Sequence, residues 1–283
     1  MKNNISRMNM RTLCIGMAMV FSLIAVSGVA AGDPDRFKGE KGVIRISGGT
    51  AHIPVMKEAA ARIMAYNPDI QISIAGGGSG VGVKQVGEGL VDIGNTGRKA
   101  TDEEIKKYGL TMFKWAVDGV GVVVNPANSV TSLSKAQLID VFSGKIGNWK
   151  TLGGADKPIN IYTRDKASGT RKVFWTKALN KADVTPKANV VVSNGAMKTA
   201  VAHDPYGIGY VSVGHIDTSV EPVSLDGITP TLKTVREGTY TIARGLYSNT
   251  RGEPSGLVEK FIDYLFSPEG QKIVSDKGFI PVN

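Results

Sequence analysis

The apolar positions of this chain change period repeatedly, and several of the changes fall at glycine-rich turns. Val43-Ile44-Arg45-Ile46-Ser47 reads as a short strand running into Gly48-Gly49-Thr50. Met56, Ala59, Ala60, Ile63 and Met64 then recur at helical spacing, which predicts a helix from Met56 to Tyr66. Ile70 to Ala75 is a second strand; it meets Gly76-Gly77-Gly78-Ser79-Gly80 and a helix reaching Leu90. Asp92-Ile93-Gly94 is a third short strand. Val117 to Asn125 is a near-continuous apolar run, as expected of a strand covered on both faces in a parallel sheet. Strand, glycine turn and helix in this order predict an α/β protein in which each helix covers the sheet that the preceding strand joined.

Asn125-Pro126 ends the run and a second series begins. Ser134-Lys135-Ala136-Gln137 has capping-box spacing, so a helix is expected there, ending near Gly144. Ile159 to Tyr162 is a strand leading to Arg164 and Ser168-Gly169-Thr170, with a helix continuing past Trp175. Val190 to Ser193 is another strand, Asn194-Gly195 opens a helix through Ala202, and Ile208 to Ser212 is a strand leading back. Ser255 to Phe266 and Pro268 to Ser275 read as two helices, with Pro268 suited to a first helical position. The expected organisation is one lobe from residues 40–123 plus 213–283 and an inserted lobe from 124–212.

The amino terminus changes the picture of where the protein works. Lys2, Arg7 and Arg11 precede an apolar stretch from Thr12 to Ala31 that closes on Ser27-Gly28-Val29-Ala30-Ala31. A basic start, an apolar middle and a small-residue end make a secretory signal over residues 1–31, with cleavage expected near Ala31. An uncleaved membrane anchor is the competing reading, since the stretch is long enough to span a bilayer. Loss of the signal takes Cys14, the one cysteine, with it. It also lowers the net charge from +9 to +6, because the segment holds three basic residues and no acid. That balance favours anionic partners without naming one. A chain of 283 residues, 42% hydrophobic and 21% charged, is neither disordered nor a disulfide-held miniprotein. Trp115, Trp149 and Trp175 form no stacking platform among basic residues, so no nucleic-acid surface is expected. Three histidines and no close His/Cys/carboxylate cluster leave no metal site to assign, and no cofactor is expected.

The candidate chemistry lies in the turns. A glycine-rich turn entering a helix exposes backbone N–H groups without intrahelical partners. Three such turns carry hydroxyls: Thr50, Ser79 and Ser168-Gly169-Thr170. Arg164, at a strand end, can offer a planar fork of charged donors to two oxygens at once. Helix starts, hydroxyls and a guanidinium together suit a tetrahedral oxyanion held beyond the carboxyl ends of strands. Each turn also has a plainer reading. Thr50, Ser79 and Ser168 can be ordinary helix caps, Thr170 a local cap, and GGGSGVG at 76–82 a structural turn rather than an anion nest including Gly78 and Gly80.

These strings resemble a known family. SGGT at 47–50, GGGSGVGVKQ at 76–85, VDIGN at 91–95 and DGVGVVVN at 118–125 are similar to periplasmic phosphate-binding proteins in their shorter form. FSGKIGNWK at 142–150, RDKASGT at 164–170, GIGYVSVG at 207–214 and SPEGQKI at 267–273 extend the likeness over nearly the whole chain after residue 40. The resemblance implies a type II periplasmic solute-binding protein, two α/β lobes closing on one phosphate and passing it to the membrane permease of an ABC transporter. The family's ligand contacts carry over to Thr50, Ala51, Ser79, Arg164, Ser168, Gly169 and Thr170. A monomer in the periplasm is implied, without catalysis.

One departure stands out. Some phosphate binders have a carboxylate just after the third strand, and here Gly97 in Thr96-Gly97-Arg98 stands in its place. HPO₄²⁻ keeps a proton that an acceptor can recognise, whereas sulfate at neutral pH has none. Asp118 is the expected replacement acceptor, its alternatives being a turn cap or a partner for an arginine. Arg98 is either a second anion clamp or a solvated surface residue, and Asp92 is expected to fix a strand end or a neighbouring helix. His52 either lines the pocket or makes a helix-surface or hinge contact; His203 and His215 are expected to be peripheral, and Tyr210 and Trp149 to be packing residues. Two further functions stay open: a binder of sulfate, molybdate or tungstate, and a secreted phosphoesterase. The latter has no G-x-S-x-G elbow or paired-histidine motif in its favour.

Overall fold

The computed structural model describes residues 33–282, so the expected signal segment and its cleavage site lie outside the described residues. The strands are β1 (Gly42–Gly48), β2 (Ile70–Gly77), β3 (Ile93–Thr96), β4 (Leu110–Val124), β5 (Ser132–Leu133), β6 (Asn160–Arg164), β7 (Asn189–Val191), β8 (Gly207–Ser212), β9 (Glu221–Leu225), β10 (Ala243–Arg251) and β11 (Ile280–Pro281). The helices are α1 (Ile53–Tyr66), α2 (Ser79–Gly87), α3 (Asp102–Tyr108), α4 (Lys135–Ser143), α5 (Gly169–Lys177), α6 (Asn194–Ala202), α7 (Leu232–Arg236), α8 (Gly256–Phe266) and α9 (Pro268–Asp276).

The strands follow the order β2-β1-β3-β10-β4-β8-β6-β7. β4 is the spine. From Leu110 to Gly119 it pairs antiparallel with β10, and from Val120 to Val124 it pairs antiparallel with β8. The apolar run at 117–124 is therefore a doubly covered strand, as its composition predicts, but its neighbours run against it rather than with it. Continuous burial reports coverage on two faces and says nothing about strand direction. Parallel pairing survives on either side, where β1 joins β2 and β3, and β6 joins β7 and β8.

Two large apolar cores flank this spine, and a small third cluster of Val83, Val86, Ala100 and Leu110 lies under α2. The first gathers Ile44 and Ile46 of β1, Val55, Met56 and Ile63 of α1, Trp115 of β4, and Phe261 and Leu265 of α8. The second gathers Val122 and Val124 of β4, Phe142 of α4, Phe174 of α5, Met197 of α6 and Tyr210 of β8. Val220, Val223, Val235, Tyr240 and Ile242 also pack in the second core, and the chain returns to the first sheet with β10. Neither β9, α7 and β10 nor α3 and the first half of β4 show in the period of the sequence. Buried Arg244, Ser248, Asn249 and Thr250 break the apolar alternation of β10.

Local signals place the helices. Ser134 Oγ accepts the Gln137 N–H at 3.1 Å and Gln137 Oε1 accepts the Ser134 N–H at 2.8 Å, the capping box expected from their spacing. Pro268 opens α9 behind Ser267, whose hydroxyl oxygen accepts the Gly270 N–H at 3.1 Å. The glycines of 76–82 have two tasks. Gly78 precedes α2 at φ 89°, a conformation closed to most side chains. Gly82 lets α2 lie directly on β1 and β3, since a Cβ there would stand 3.1 Å from both the Gly48 Cα and the Asn95 nitrogen.

Candidate binding site

Three helix starts converge. The chain leaves β1 through Gly49-Thr50-Ala51 into α1, leaves β2 through Gly78 into α2, and leaves β6 through residues 165–168 into α5. Gly49, Thr50, Ala51, His52, Gly78, Ser79, Gly97, Arg164, Ser168, Gly169, Thr170 and Arg244 line one small pocket. All three hydroxyl-bearing turns and Arg164 thus meet at a single place. The first-turn N–H groups of each helix have no partner inside it and carry the positive end of its dipole.

The hydroxyls are oriented by the protein. Thr50 Oγ1 accepts from the Asn194 backbone N–H at 3.2 Å and from Asn194 Nδ2 at 3.1 Å. Both acceptor positions are then filled, and the hydroxyl hydrogen is left to donate. Ser79 Oγ accepts the Gly97 N–H at 3.0 Å, and Thr170 Oγ1 accepts from Arg244 Nη1 at 2.9 Å. Ser168 Oγ accepts the Arg171 N–H at 3.1 Å and caps its own helix, while still lining the pocket. Three of these contacts, with the bond from the Gly80 N–H to the Ala167 oxygen at 3.0 Å, join residues on the two sides of the pocket.

Two buried guanidinium groups face this space from different supports. Arg164 Nε donates to the Val191 carbonyl at 3.1 Å and Nη2 to the Val192 carbonyl at 3.0 Å, which leaves Nη1 buried without a partner. Burial pushes its pKa down, opposed by Tyr210 and Asp165. Tyr210 stacks on Phe174 at 3.9 Å, and its hydroxyl oxygen accepts the Arg164 N–H at 3.0 Å, so a packing residue also fixes the strand end that carries the arginine. Arg244, on β10, donates from Nε to Asp118 Oδ2 at 2.9 Å. Its Nη2 lies 2.8 Å from the same oxygen but is not aligned to donate to it, so a second charged nitrogen is short of a hydrogen bond.

Three expected contacts do not stand among the residues that line the pocket. Asp118 does not line the pocket; it accepts from Arg244 and, at 2.8 Å, from the Ser212 hydroxyl. Burial pushes its carboxyl up while Arg244 and Ser212 pull it back, so partnership with an arginine is the reading that holds. Arg98 is not at the pocket either, because Nη1 and Nη2 clasp the two oxygens of Glu104 at 2.7 Å each. Gly80 spends its N–H on Ala167 and does not line the pocket, whereas Gly78 does. Gly97 is held to its size, since a Cβ there would lie 2.7 Å from Arg244 Nη1. Arg244 is the residue that sequence reasoning missed. Its one signal is a charge standing among apolar and aromatic neighbours, Ile242, Ala243, Leu246 and Tyr247.

The remaining residues fall where their types suggest. Asp92 Oδ2 accepts the Arg45 N–H at 2.7 Å and fixes a strand end. Trp149 is buried in the second core and donates to the Tyr206 carbonyl at 2.9 Å. His203 is exposed, its Nδ1 2.9 Å from the Thr199 carbonyl. His215 is less peripheral than expected. Burial, with Lys198 nearby, lowers its pKa to about 4. His52 lines the pocket, fully buried, with its ring edge-on to Trp115 at 5.4 Å. Burial above all, and then the Arg244 charge, lowers its pKa to about 3. Among the described residues, no group of three His, Cys, Asp or Glu side chains is placed to hold a metal ion.

Comparison with known proteins places the chain in a family. Residues 29–269 match the model of the PBP superfamily domain. The chain is 39% identical to the phosphate-binding protein PstS of Bacillus subtilis, over 97% of this chain and 94% of that protein. It is 30% identical to the PstS of Borreliella burgdorferi, over 85% of this chain and 90% of the relative. Among solved structures, a putative phosphate ABC transporter substrate-binding protein from Clostridium perfringens, with bound phosphate, superposes with a TM-score of 0.81 at 34% identity, covering 86% of this chain and all of that one.

Proposed function

We propose that this chain, which belongs to the family of phosphate-binding proteins that serve ABC transporters, binds inorganic phosphate outside the cytoplasm and delivers it to a membrane permease. One observation carries the reading. Two buried guanidinium groups, that of Arg164 with a nitrogen lacking any partner, share one small pocket with three helix starts. A buried charged donor without an acceptor is costly, and an oxyanion supplies acceptors to both groups at once. Thr50, Ala51, Ser79, Arg164, Ser168, Gly169 and Thr170 are the proposed contacts, with Gly78 in the wall and Arg244 added to the set.

The protein is a binder and not an enzyme, as its family is. Capture follows from closure of two lobes. The first side brings Thr50 and Ser79, the second brings Arg164 and Ser168 to Thr170, and residues 220–242 move with the second because they pack in its core. Closing replaces the water around the anion with fixed donors, and the bonds from Asn194 to Thr50 hold the closed form. The protein acts as a monomer, each chain carrying a complete pocket.

Calorimetry near pH 7 with phosphate, sulfate and molybdate tests the reading. Saturable one-to-one binding of phosphate, with sulfate and molybdate at least tenfold weaker, is the expected result. Equal affinities, or no heat with phosphate, overturn it.

A further inference from the structure

The proposed ligand poses a problem that Arg164, Arg244 and the hydroxyl donors do not solve. HPO₄²⁻ carries a hydrogen that needs an acceptor, whereas most groups converging on the pocket are N–H donors and its hydroxyl oxygens already accept from Asn194, Gly97, Arg171 and Arg244. Asp118 is committed to Arg244 and Ser212, and Gly97 has no side chain. A buried ligand hydroxyl without an acceptor of its own would be left unpaired, at a cost to phosphate and none to sulfate.

His52 supplies what is missing. Its Nε2 lies 3.1 Å from the Thr96 carbonyl oxygen, which can only accept, so Nε2 carries the ring hydrogen. In a neutral imidazole the other nitrogen then presents a lone pair. Burial and the Arg244 charge keep the ring neutral. Nδ1 is buried and has no hydrogen-bond partner. It lies on the side of Gly49, itself in the pocket wall, because a Cβ on Gly49 would stand 2.5 Å from Nδ1 and 2.6 Å from Cε1. The Gly49 and Tyr247 backbone groups also act on the ring and oppose its loss of a proton, but neither makes a hydrogen bond to Nδ1, and the Gly49 carbonyl accepts the His52 backbone N–H at 3.2 Å. Trp115 and the Thr96 carbonyl thus lock both the plane and the tautomer of the ring.

We infer that His52 Nδ1 accepts the proton-bearing oxygen of monohydrogen phosphate and is the residue by which this pocket prefers phosphate to fully deprotonated tetrahedral anions. The inference rests on the phosphate reading above and deepens it. With sulfate bound, the Nδ1 lone pair would face an oxygen that has no hydrogen to give, and would repel it. A neutral acceptor also suits a pocket for a dianion, because it recognises the proton without adding a negative charge beside the ligand.

Two measurements test it on the full mature chain. In the first, histidine is labelled with ¹⁵N and the Nδ1 resonance of His52 is followed while inorganic phosphate is added. It should begin as an unprotonated, unbonded nitrogen and move in the direction of an accepted hydrogen bond, while Nε2 remains protonated. In the second, His52→Phe keeps a ring against Trp115 but has no lone pair. It should bind phosphate about tenfold more weakly, the worth of one hydrogen bond, with sulfate affinity unchanged or raised. Phosphate binding that leaves the Nδ1 resonance in place, or equal losses for both anions in a folded His52→Phe, overturns the assignment and leaves the phosphate reading intact. Absence of phosphate binding in the wild-type protein overturns both. If His52→Phe fails to fold, the resonance of the wild-type protein decides.

Discussion

The two arginine corners of the pocket are built on opposite plans. Arg164 rests on backbone carbonyls, those of Val191 and Val192, and among the described residues no carboxylate lies within ion-pair distance of it. Arg244 is anchored to a buried carboxylate, Asp118, and also reaches Thr170 and the Gly97 carbonyl. The first corner keeps a full positive charge for whatever enters. The second spends most of its charge on holding β10, β4 and α5 together. The contrast teaches that two like residues in one pocket can be held differently, one left free to meet an anion, as proposed above, and the other tied to the walls.

Removing Arg244 breaks the comparison most severely. Arg244→Ala strands Asp118 in the interior with the Ser212 hydroxyl as its side-chain partner, and should cost about 3–5 kcal/mol of folding stability. Urea unfolding measures it, and Arg244→Ala combined with Asp118→Ala should recover most of the loss. If the double variant is as unstable as the single one, the pair is not what Arg244 is for. Removing Arg164 should do the reverse. Arg164→Ala leaves no buried carboxylate behind, so folding should change little, while phosphate affinity falls by more than a hundredfold, about 3 kcal/mol. A loss under tenfold in calorimetry would shift the binding role to Arg244.

A smaller effect separates the corners by pH. His52 sits beside Arg244, and its folded-state pKa of about 3 lies below the ordinary 6.5. The unfolded chain therefore takes up a proton below pH 6.5 that the folded protein refuses until near pH 3. Stability contributed by the neutral ring is complete above pH 6.5 and declines as pH falls through that window. From pH 6.5 to 5 the decline should be about 2 kcal/mol for this residue. Denaturant unfolding in an anion-free buffer at both values checks it, and His52→Phe should flatten the slope. A slope unchanged in that variant would assign the effect to His215, whose pKa is lowered to about 4.

Legibility in the sequence follows the range of the interaction. The Ser134-Gln137 capping box, the proline at the start of α9 and the glycine turns before α1 and α2 are local, and each was readable from a few neighbours. Arg164 was readable because it stands at a strand end just before a hydroxyl-bearing helix start. Arg244 was not, because Asp118 lies 126 residues away in the chain. Likewise, Asp118 and Arg98 carry the right charge for ligand work, and only their partners showed that Arg244 and Glu104 had claimed them first.

Periodicity and turn chemistry were thus enough to establish an α/β chain, its helix starts, and the three hydroxyl-bearing turns that meet at one pocket. They could not establish the antiparallel course of β4 between β10 and β8, the addition of residues 220–242 to the second core, or which charged side chains remain free. Nor could they assign the His52 tautomer, which depends on a carbonyl 44 positions further on. Helix caps and hydrophobic spacing act between near neighbours along the backbone, so composition in a short window encodes them. Pairing of buried charges and sheet register is settled between segments far apart in sequence, where proximity is created by folding itself.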